Sequence, residues 1–141
     1  MTVGAIVGAG GNVISVECDT PIREAVEMLS RHRIGAMPVM RKGEIVGILS
    51  ERDVIRCLAE RGGAVLEDKV EQLMTAPAIT VEPDRSALGA LSQMTDRRIR
   101  HLPVVREGKL IGIVSIGDLV KYRIERIEQE AAAMRDYIAS S

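Results

Sequence analysis

The spacing of apolar positions changes along the chain in a regular order. Residues 13–16 form a short apolar run that predicts a strand. Ile22, Ala25, Val26 and Leu29 follow at steps of three, one and three, which predicts one face of a helix. Thr20 and Pro21 precede it. Thr suits the N-cap, and Pro suits the first turn, where a missing N–H costs nothing. Two further runs, 37–41 and 44–49, flank Lys42-Gly43, and an x-Gly pair between such runs predicts a hairpin. A second helix is predicted after Ser50-x-x-Asp53, with Val54, Ile55 and Leu58 on one side.

The same order returns 65 residues later. Residues 14–59 align with 79–124 without a gap, and about 15 of 46 pairs are identical. Ala87, Ala90, Leu91 and Met94 repeat the helix face, and Glu107-Gly108 repeats the hairpin turn. GILSERD at 47–53 becomes GIVSIGD at 112–118. Each copy therefore reads β-α-β-β-α, preceded by a short amphipathic lead-in: Val3, Ile6 and Val7, then Val70, Leu73 and Met74. The predicted division is 1–61 for the first repeat, 62–69 for a linker around Gly62-Gly63, and 70–124 for the second. A long helix is expected over 118–139. A copy of about 60 residues buries its surface poorly alone, so two copies are expected to close about a pseudo-twofold axis into one mixed α/β unit.

Composition narrows the chemistry. The apolar fraction is 46%, yet there is no Phe, no Trp and only two Tyr, so aliphatic side chains and Met must fill the core. Nineteen basic and twenty acidic residues give a net charge of −1. That argues against nucleic acid, which needs a basic footprint or aromatic platforms. Cys18 and Cys57 form no C-x-x-C pair, and with His32 and His101 they give no zinc spacing; a reduced cytoplasmic protein without a required metal is expected. The opening MTVGAIVGAGG lacks a basic n-region and is broken by glycines, so it reads poorly as a signal peptide. No run reaches the roughly 18 apolar residues of a membrane span. Gly8, Gly10 and Gly11 do not make a dinucleotide fingerprint, because Val13 stands at the third glycine position and no βαβ strand precedes them. There is no nucleophile-base-orienter set and no paired acid and base, and no enzyme is expected.

The twice-made Ser-x-x-Asp has two readings. Ser at the N-cap with an acid three residues on is a capping box, contributing about 1 kcal/mol. The same place can hold a ligand. A strand ends, a helix begins, its N–H groups can receive a phosphate, and a carboxylate there can accept from both hydroxyls of a ribose. Gly47 and Gly112 would let another backbone or a flat base approach closely.

The lead-ins TVGAIV and KVEQLMT, the starts VISV and AITV, the hairpins RIGAMPVMRKGEIVGI and RIRHLPVVREGKLIGI, and the turns GILSERD and GIVSIGD together resemble a tandem CBS-domain protein of the stand-alone type, named from the regulatory region of cystathionine β-synthase. The resemblance covers about residues 3–124. It implies an adenosine-containing ligand (AMP, ADP, ATP or NAD) in clefts between the repeats. It places ribose at Asp53 and Asp118, and ribose or phosphate at Ser50 and Ser115. It places the base near Val13, Ile14 and Ser15, Ala78, Ile79 and Thr80, Ile34, Gly35, Ala36 and Met37, and Ile99, Leu102 and Pro103. Arg100 and His101 stand where copy one has Gly35 and Ala36, and Arg52 stands opposite Gly117. Arg presents a fork suited to phosphate oxygens, so one cleft is expected to take the more anionic ligand; which Asp works with Arg100 and His101 stays open. Arg97 and Arg98 either join them or only complement a helix dipole.

In the tail, Val120, Ile124, Ile127, Ala131, Met134 and Ile138 step by 4, 3, 4, 3 and 4, a heptad seam. It predicts either a dimerising helix or one lying on its own domain; the resemblance favours a homodimer. The function expected is a non-enzymatic sensor of an adenine nucleotide that signals through a partner protein. The alternatives are a dimeric scaffold with no regulatory ligand, or an S-adenosylmethionine-binding regulator.

Overall fold

A computed structural model describes residues 1–7 and 13–140; the glycine lead-in at 8–12 lies outside the described residues. The elements run α1 (Val3–Val7), β1 (Val16–Glu17), α2 (Ile22–His32), β2 (Ala36–Arg41), β3 (Glu44–Ser50), α3 (Glu51–Arg61), a 3-10 turn (Gly62–Glu67), α4 (Val70–Leu73), α5 (Ala87–Arg97), β4 (His101–Arg106), β5 (Lys109–Ser115) and α6 (Ile116–Ser140). This is the expected mixed α/β pair of repeats with a long C-terminal helix.

Both hairpins form where the x-Gly pairs predict them. Lys42 and Gly43 have φ of 51° and 79°, as do Glu107 and Gly108. Two successive positive φ values make the turn whose twist matches paired strands. Arg41 then faces Glu44, and Arg106 faces Lys109. Each hairpin carries a bulge beside Val39 or Val104, and each of those valines faces a glycine, Gly47 or Gly112.

The first strand of each repeat is shorter than expected. β1 pairs in parallel with β2 through Val16–Val39 and Glu17–Met40, and Cys18 extends the ladder by donating to the Met40 carbonyl at 3.0 Å. In the second repeat, among the described residues, the first strand is reduced to a bridge of Val81 to Val104. The reason lies two residues on: Pro83 stands where Cys18 stands in copy one, and proline has no N–H to donate. The expected Thr20 cap is also absent. Pro21 itself holds the N-cap position, with no side-chain cap bond, because the neighbouring linker does the capping: Ile22 N–H donates to the Asp68 carbonyl at 2.8 Å. The linker is thus ordered, and Val65 within it is fully buried in the first core.

Two aliphatic cores result, and the lead-ins cross between them. Val70 and Leu73 of α4 join Ile22, Met37, Val39 and Leu49 of the first repeat. Val3 of α1 joins Met94, Leu102, Val104 and Leu119 of the second. Backbone bonds fix the exchange: Val3 N–H donates to Arg85 and Gly4 N–H to Pro83, both at 2.8 Å. Gly47 and Gly112 make it possible. A Cβ on Gly47 would stand 2.8 Å from the Thr75 carbonyl oxygen, and one on Gly112 would strike Val7. The close approach expected at these glycines is made by the lead-ins.

In α3, Val54 is buried and Leu58 partly so, but Ile55 is 64% exposed, a departure from the expected inward face. α6 docks through Leu119 and, partly, Tyr122 on the second core. Its heptad positions Val120, Ile124, Ile127 and Met134 remain largely exposed, so this seam does not lie on its own domain. No helix among the described residues is long and apolar enough to cross a membrane.

Candidate functional site

A cavity of about 260 Å³ opens between the repeats. Its floor on one side is the end of β3 and the start of α3. Ser50 ends the strand in an extended conformation and caps the helix: its hydroxyl accepts from Asp53 N–H at 3.2 Å, and Asp53 accepts from Ser50 N–H at 3.0 Å. The capping box is therefore real, and it is repeated at Ser115 and Asp118 at 3.1 and 2.9 Å.

The two copies differ in what else the acid does. Asp53 is only 4% exposed. Oδ2 also accepts from the Ser50 hydroxyl at 3.0 Å, and Oδ1 accepts from Thr75 at 3.2 Å and Arg56 at 3.1 Å. Asp118 is exposed, and among the described residues only the box holds its side chain by hydrogen bonds. Thr75 belongs to the crossed lead-in after α4, so the exchange that completes the first core also delivers a donor to the site.

The opposite wall comes from the second repeat. α5 ends at Arg98 in the left-handed conformation, φ 56°, at a cost of about 1–2 kcal/mol for a non-glycine residue. The turn brings Arg98, Ile99, Arg100 and His101 to the cavity with Ile79 and Pro77. Gly35 and Ala36 face them from the first repeat, beside Glu51, Arg52 and Ile48. A Cβ on Gly35 would stand 3.4 Å from Glu51 Oε1 and 3.5 Å from His101 Cε1, so the absence of a side chain there keeps the cavity open.

The electrostatic balance is cationic. Four guanidinium groups, of Arg52, Arg56, Arg98 and Arg100, share the cavity with two carboxylates, of Glu51 and Asp53. Burial holds the His101 imidazole below its ordinary pKa; Glu51 and Asp118 pull it upward, and Arg100 adds to the lowering. Two first-turn N–H groups are already used, Glu51 by the Gly35 carbonyl at 2.9 Å and Asp53 by Ser50. Arginine side chains, more than those two backbone groups, are thus the donors that this cavity can offer an anion.

Among the residues expected at a site, the cavity gathers Ser50, Arg52, Asp53, Gly35, Ala36, Ile79, Ile99, Arg100 and His101. Arg100 and His101 share the cavity lining with Asp53, while the carboxylates that act on His101 are those of Glu51 and Asp118. Met37 and Leu102 are fully buried in the two cores, and Pro103 is buried with its carbonyl accepting from Val81. Ile34 lines a neighbouring groove between α2 and α3. Val13, Ile14, Ser15, Ala78, Thr80, Ser115 and Asp118 do not line this cavity. Glu51, Arg56, Thr75 and Pro77 do, unforeseen. Arg56 carried a usable signal, since it stands one helical turn after Asp53 and pairs with it at 3.1 Å.

Comparison with known proteins agrees with this architecture. The CBS domain family matches residues 4–60 and 70–125. The chain is 36% identical over 135 residues to the mitochondrial CBS domain-containing protein CBSX3 of Arabidopsis thaliana, covering 92% of this chain and 66% of that one. A putative signal-transduction protein with CBS domains from Burkholderia ambifaria superposes with a TM-score of 0.81 at 39% identity, over 89% of this chain and 95% of the other. The CBS pair of protein MJ0100, in complex with 5′-methylthioadenosine and S-adenosyl-L-methionine, superposes with a TM-score of 0.79 at 26% identity, over 89% and 98% of the two chains. CBSX2 in complex with AMP superposes with a TM-score of 0.75 at 28% identity, over 88% and 96%. With two matched domains and the crossed pair of repeats, the chain belongs to the CBS domain family.

Proposed function

We propose that the protein is a regulatory module that binds an adenine nucleotide in the cavity between its repeats. The observation that carries the reading is the placement of four arginines against a buried, hydrogen-bonded carboxylate in one cleft. Asp53 takes the ribose, exchanging its Arg56 and Thr75 bonds for sugar hydroxyls while Ser50 continues to hold Oδ2. Arg56, once released, joins Arg52, Arg98 and Arg100 around phosphate, where guanidinium forks match phosphate oxygens. The base lies on the aliphatic end, among Ile48, Ile79, Ile99 and Pro77. AMP bound to CBSX2 supports this ligand class. Ligand closure across the two repeats changes their relative pose, and the module passes that change to a partner protein. Free thiols at Cys18 and Cys57 fit a reducing compartment such as the cytoplasm.

A second reading comes from MJ0100, whose ligands are an adenosine thioether and a sulfonium. Isothermal titration of nucleotide-free protein with AMP, ADP, ATP, NAD, S-adenosylmethionine and GMP separates the two. Binding of a phosphorylated adenine ligand, weakened at least tenfold by Arg100→Ala, is expected. S-adenosylmethionine binding without AMP binding would replace the phosphate reading. No binding by any of the six would leave the capping box as a helix cap and the module as a scaffold.

A further inference from the structure

Among the residues lining the cavity, His101 carries the side chain whose ordinary titration falls closest to neutral pH. It stands at the first position of β4 and pairs in register with Ser115 of β5. The equivalent position in the first repeat is Ala36, paired with Ser50, so the ionisable ring belongs to the second repeat alone. The ring edge reaches toward the first repeat. A Cβ on Gly35 would stand 3.5 Å from His101 Cε1 and 3.4 Å from Glu51 Oε1. The side chain is partly buried, and among the described residues neither ring nitrogen makes a hydrogen bond. Both nitrogens are left for whatever enters the cavity.

Every element around the ring brings charge to it. α3 supplies Glu51, Arg52, Asp53 and Arg56, and the end of α5 with its following turn supplies Arg98 and Arg100. α6 supplies Asp118, which acts on the ring across from β5. In the empty cavity burial favours the neutral ring, Glu51 and Asp118 oppose it, and Arg100 adds to the effect of burial. A phosphate seated among the arginines reverses this balance. It offsets the field of Arg100 and adds an attraction of its own, and both changes favour the charged ring. An imidazolium also has two N–H donors where the neutral ring has one.

We propose that His101 takes up a proton from solvent as an anionic ligand enters the cavity, so that the module binds a phosphorylated ligand more tightly as pH falls. This rests on the phosphate reading of the cavity. The new N–H becomes a donor to phosphate oxygen, and no other bond forms or breaks. The coupling is absent from the first repeat, where Ala36 has nothing to protonate.

The chain has two histidines, His32 and His101, and His32 is exposed on α2. Imidazole NMR signals of the full chain, assigned with His32→Gln, therefore follow His101 from pH 5 to 8, with and without AMP. The phosphorus signal of AMP reports binding separately. Saturating AMP is expected to raise the His101 titration midpoint by about half a unit or more and to leave His32 unmoved. In calorimetric titrations the ratio of wild-type to His101→Gln affinity for AMP is expected to rise about three- to thirtyfold from pH 8 to pH 6, since one coupled proton changes affinity by at most about tenfold per pH unit. Ionisation of the phosphate itself is common to both proteins and cancels in that ratio. A phosphorus signal that moves on adding protein, with a His101 midpoint that stays or falls, would overturn this inference and leave nucleotide binding standing. An affinity ratio that does not change with pH would do the same. A phosphorus signal unmoved by the protein would show that AMP does not bind, and would overturn both readings.

Discussion

Asp53 and Asp118 occupy equivalent places in the two repeats, yet they should not be equally costly to remove. Asp53→Ala deletes an acceptor used by four donors: Ser50 N–H, the Ser50 hydroxyl, the Thr75 hydroxyl and Arg56. Loss of the reciprocal capping-box bond to Ser50 N–H costs about 1 kcal/mol. Loss of the buried hydroxyl bonds costs about 0.5–1.5 kcal/mol each. Arg56 is largely exposed, at 59%, so its contribution is discounted for solvent screening. The expected destabilisation is about 2–4 kcal/mol. Asp118→Ala loses only the exposed reciprocal bond to Ser115 N–H, about 1 kcal/mol. At about 3–4 °C per kcal/mol for a chain of this length, Tm should fall by about 6–16 °C for Asp53→Ala and about 3–4 °C for Asp118→Ala. Thermal unfolding of nucleotide-free protein, followed by circular dichroism with reversibility checked, reads both. Equal losses would refute the reasoning, because they would mean that the Thr75 and Ser50 hydroxyl bonds contribute nothing. The same melts provide each variant's own baseline, without which a lost ligand shift in Asp53→Ala cannot be separated from a weakened fold.

Gly35→Leu should fill the inter-repeat cavity beside Glu51 and His101, reducing nucleotide affinity more than tenfold in titration while leaving Tm within a few degrees, since a Cβ there meets only ordinary contacts. Gly47→Ala should lower stability by about 1–3 kcal/mol in urea melts, because the added methyl strikes the Thr75 carbonyl and the Met74 sulfur. Burial keeps His101 below its ordinary pKa, so the unfolded chain takes up this proton first as pH falls. The stability of ligand-free protein should therefore decline below about pH 6.5, be insensitive to this group above it, and lose that component in His101→Gln; urea melts between roughly pH 5 and 8 measure it.

Local structure was legible wherever one residue type dictates a backbone. Lys42-Gly43 and Glu107-Gly108 announce tight turns because two positive φ values in succession favour glycine at the second place. The heptad of α6 was legible because its period is its own signal. The crossing of the lead-ins was not. Val3, Ile6 and Val7 and their counterparts Val70, Leu73 and Met74 are both short amphipathic segments, and nothing in either says which core it completes. The cavity was legible in part. Asp53, Arg100 and His101 could be named from their places in the repeat, but Thr75 reaches the cavity only through the crossing, and Glu51 only because the first turn of α3 lies beside Gly35. The Ser-x-x-Asp pattern itself could not distinguish a cap from a ligand site, because the same atoms serve both.

The crossed lead-ins also set an order of events during synthesis. Val70 and Leu73 emerge shortly after the residues they complete, so the first core can close early. α1 has no such neighbour. Val3 completes a core whose other members run from Val81 to Leu119, and at about 5–20 residues per second they emerge on the order of ten seconds later. Five residues cannot hold a helix in water alone. α1 is thus translated before the core it completes and folds after that core has emerged, and for that interval its apolar side chains have no native place to go.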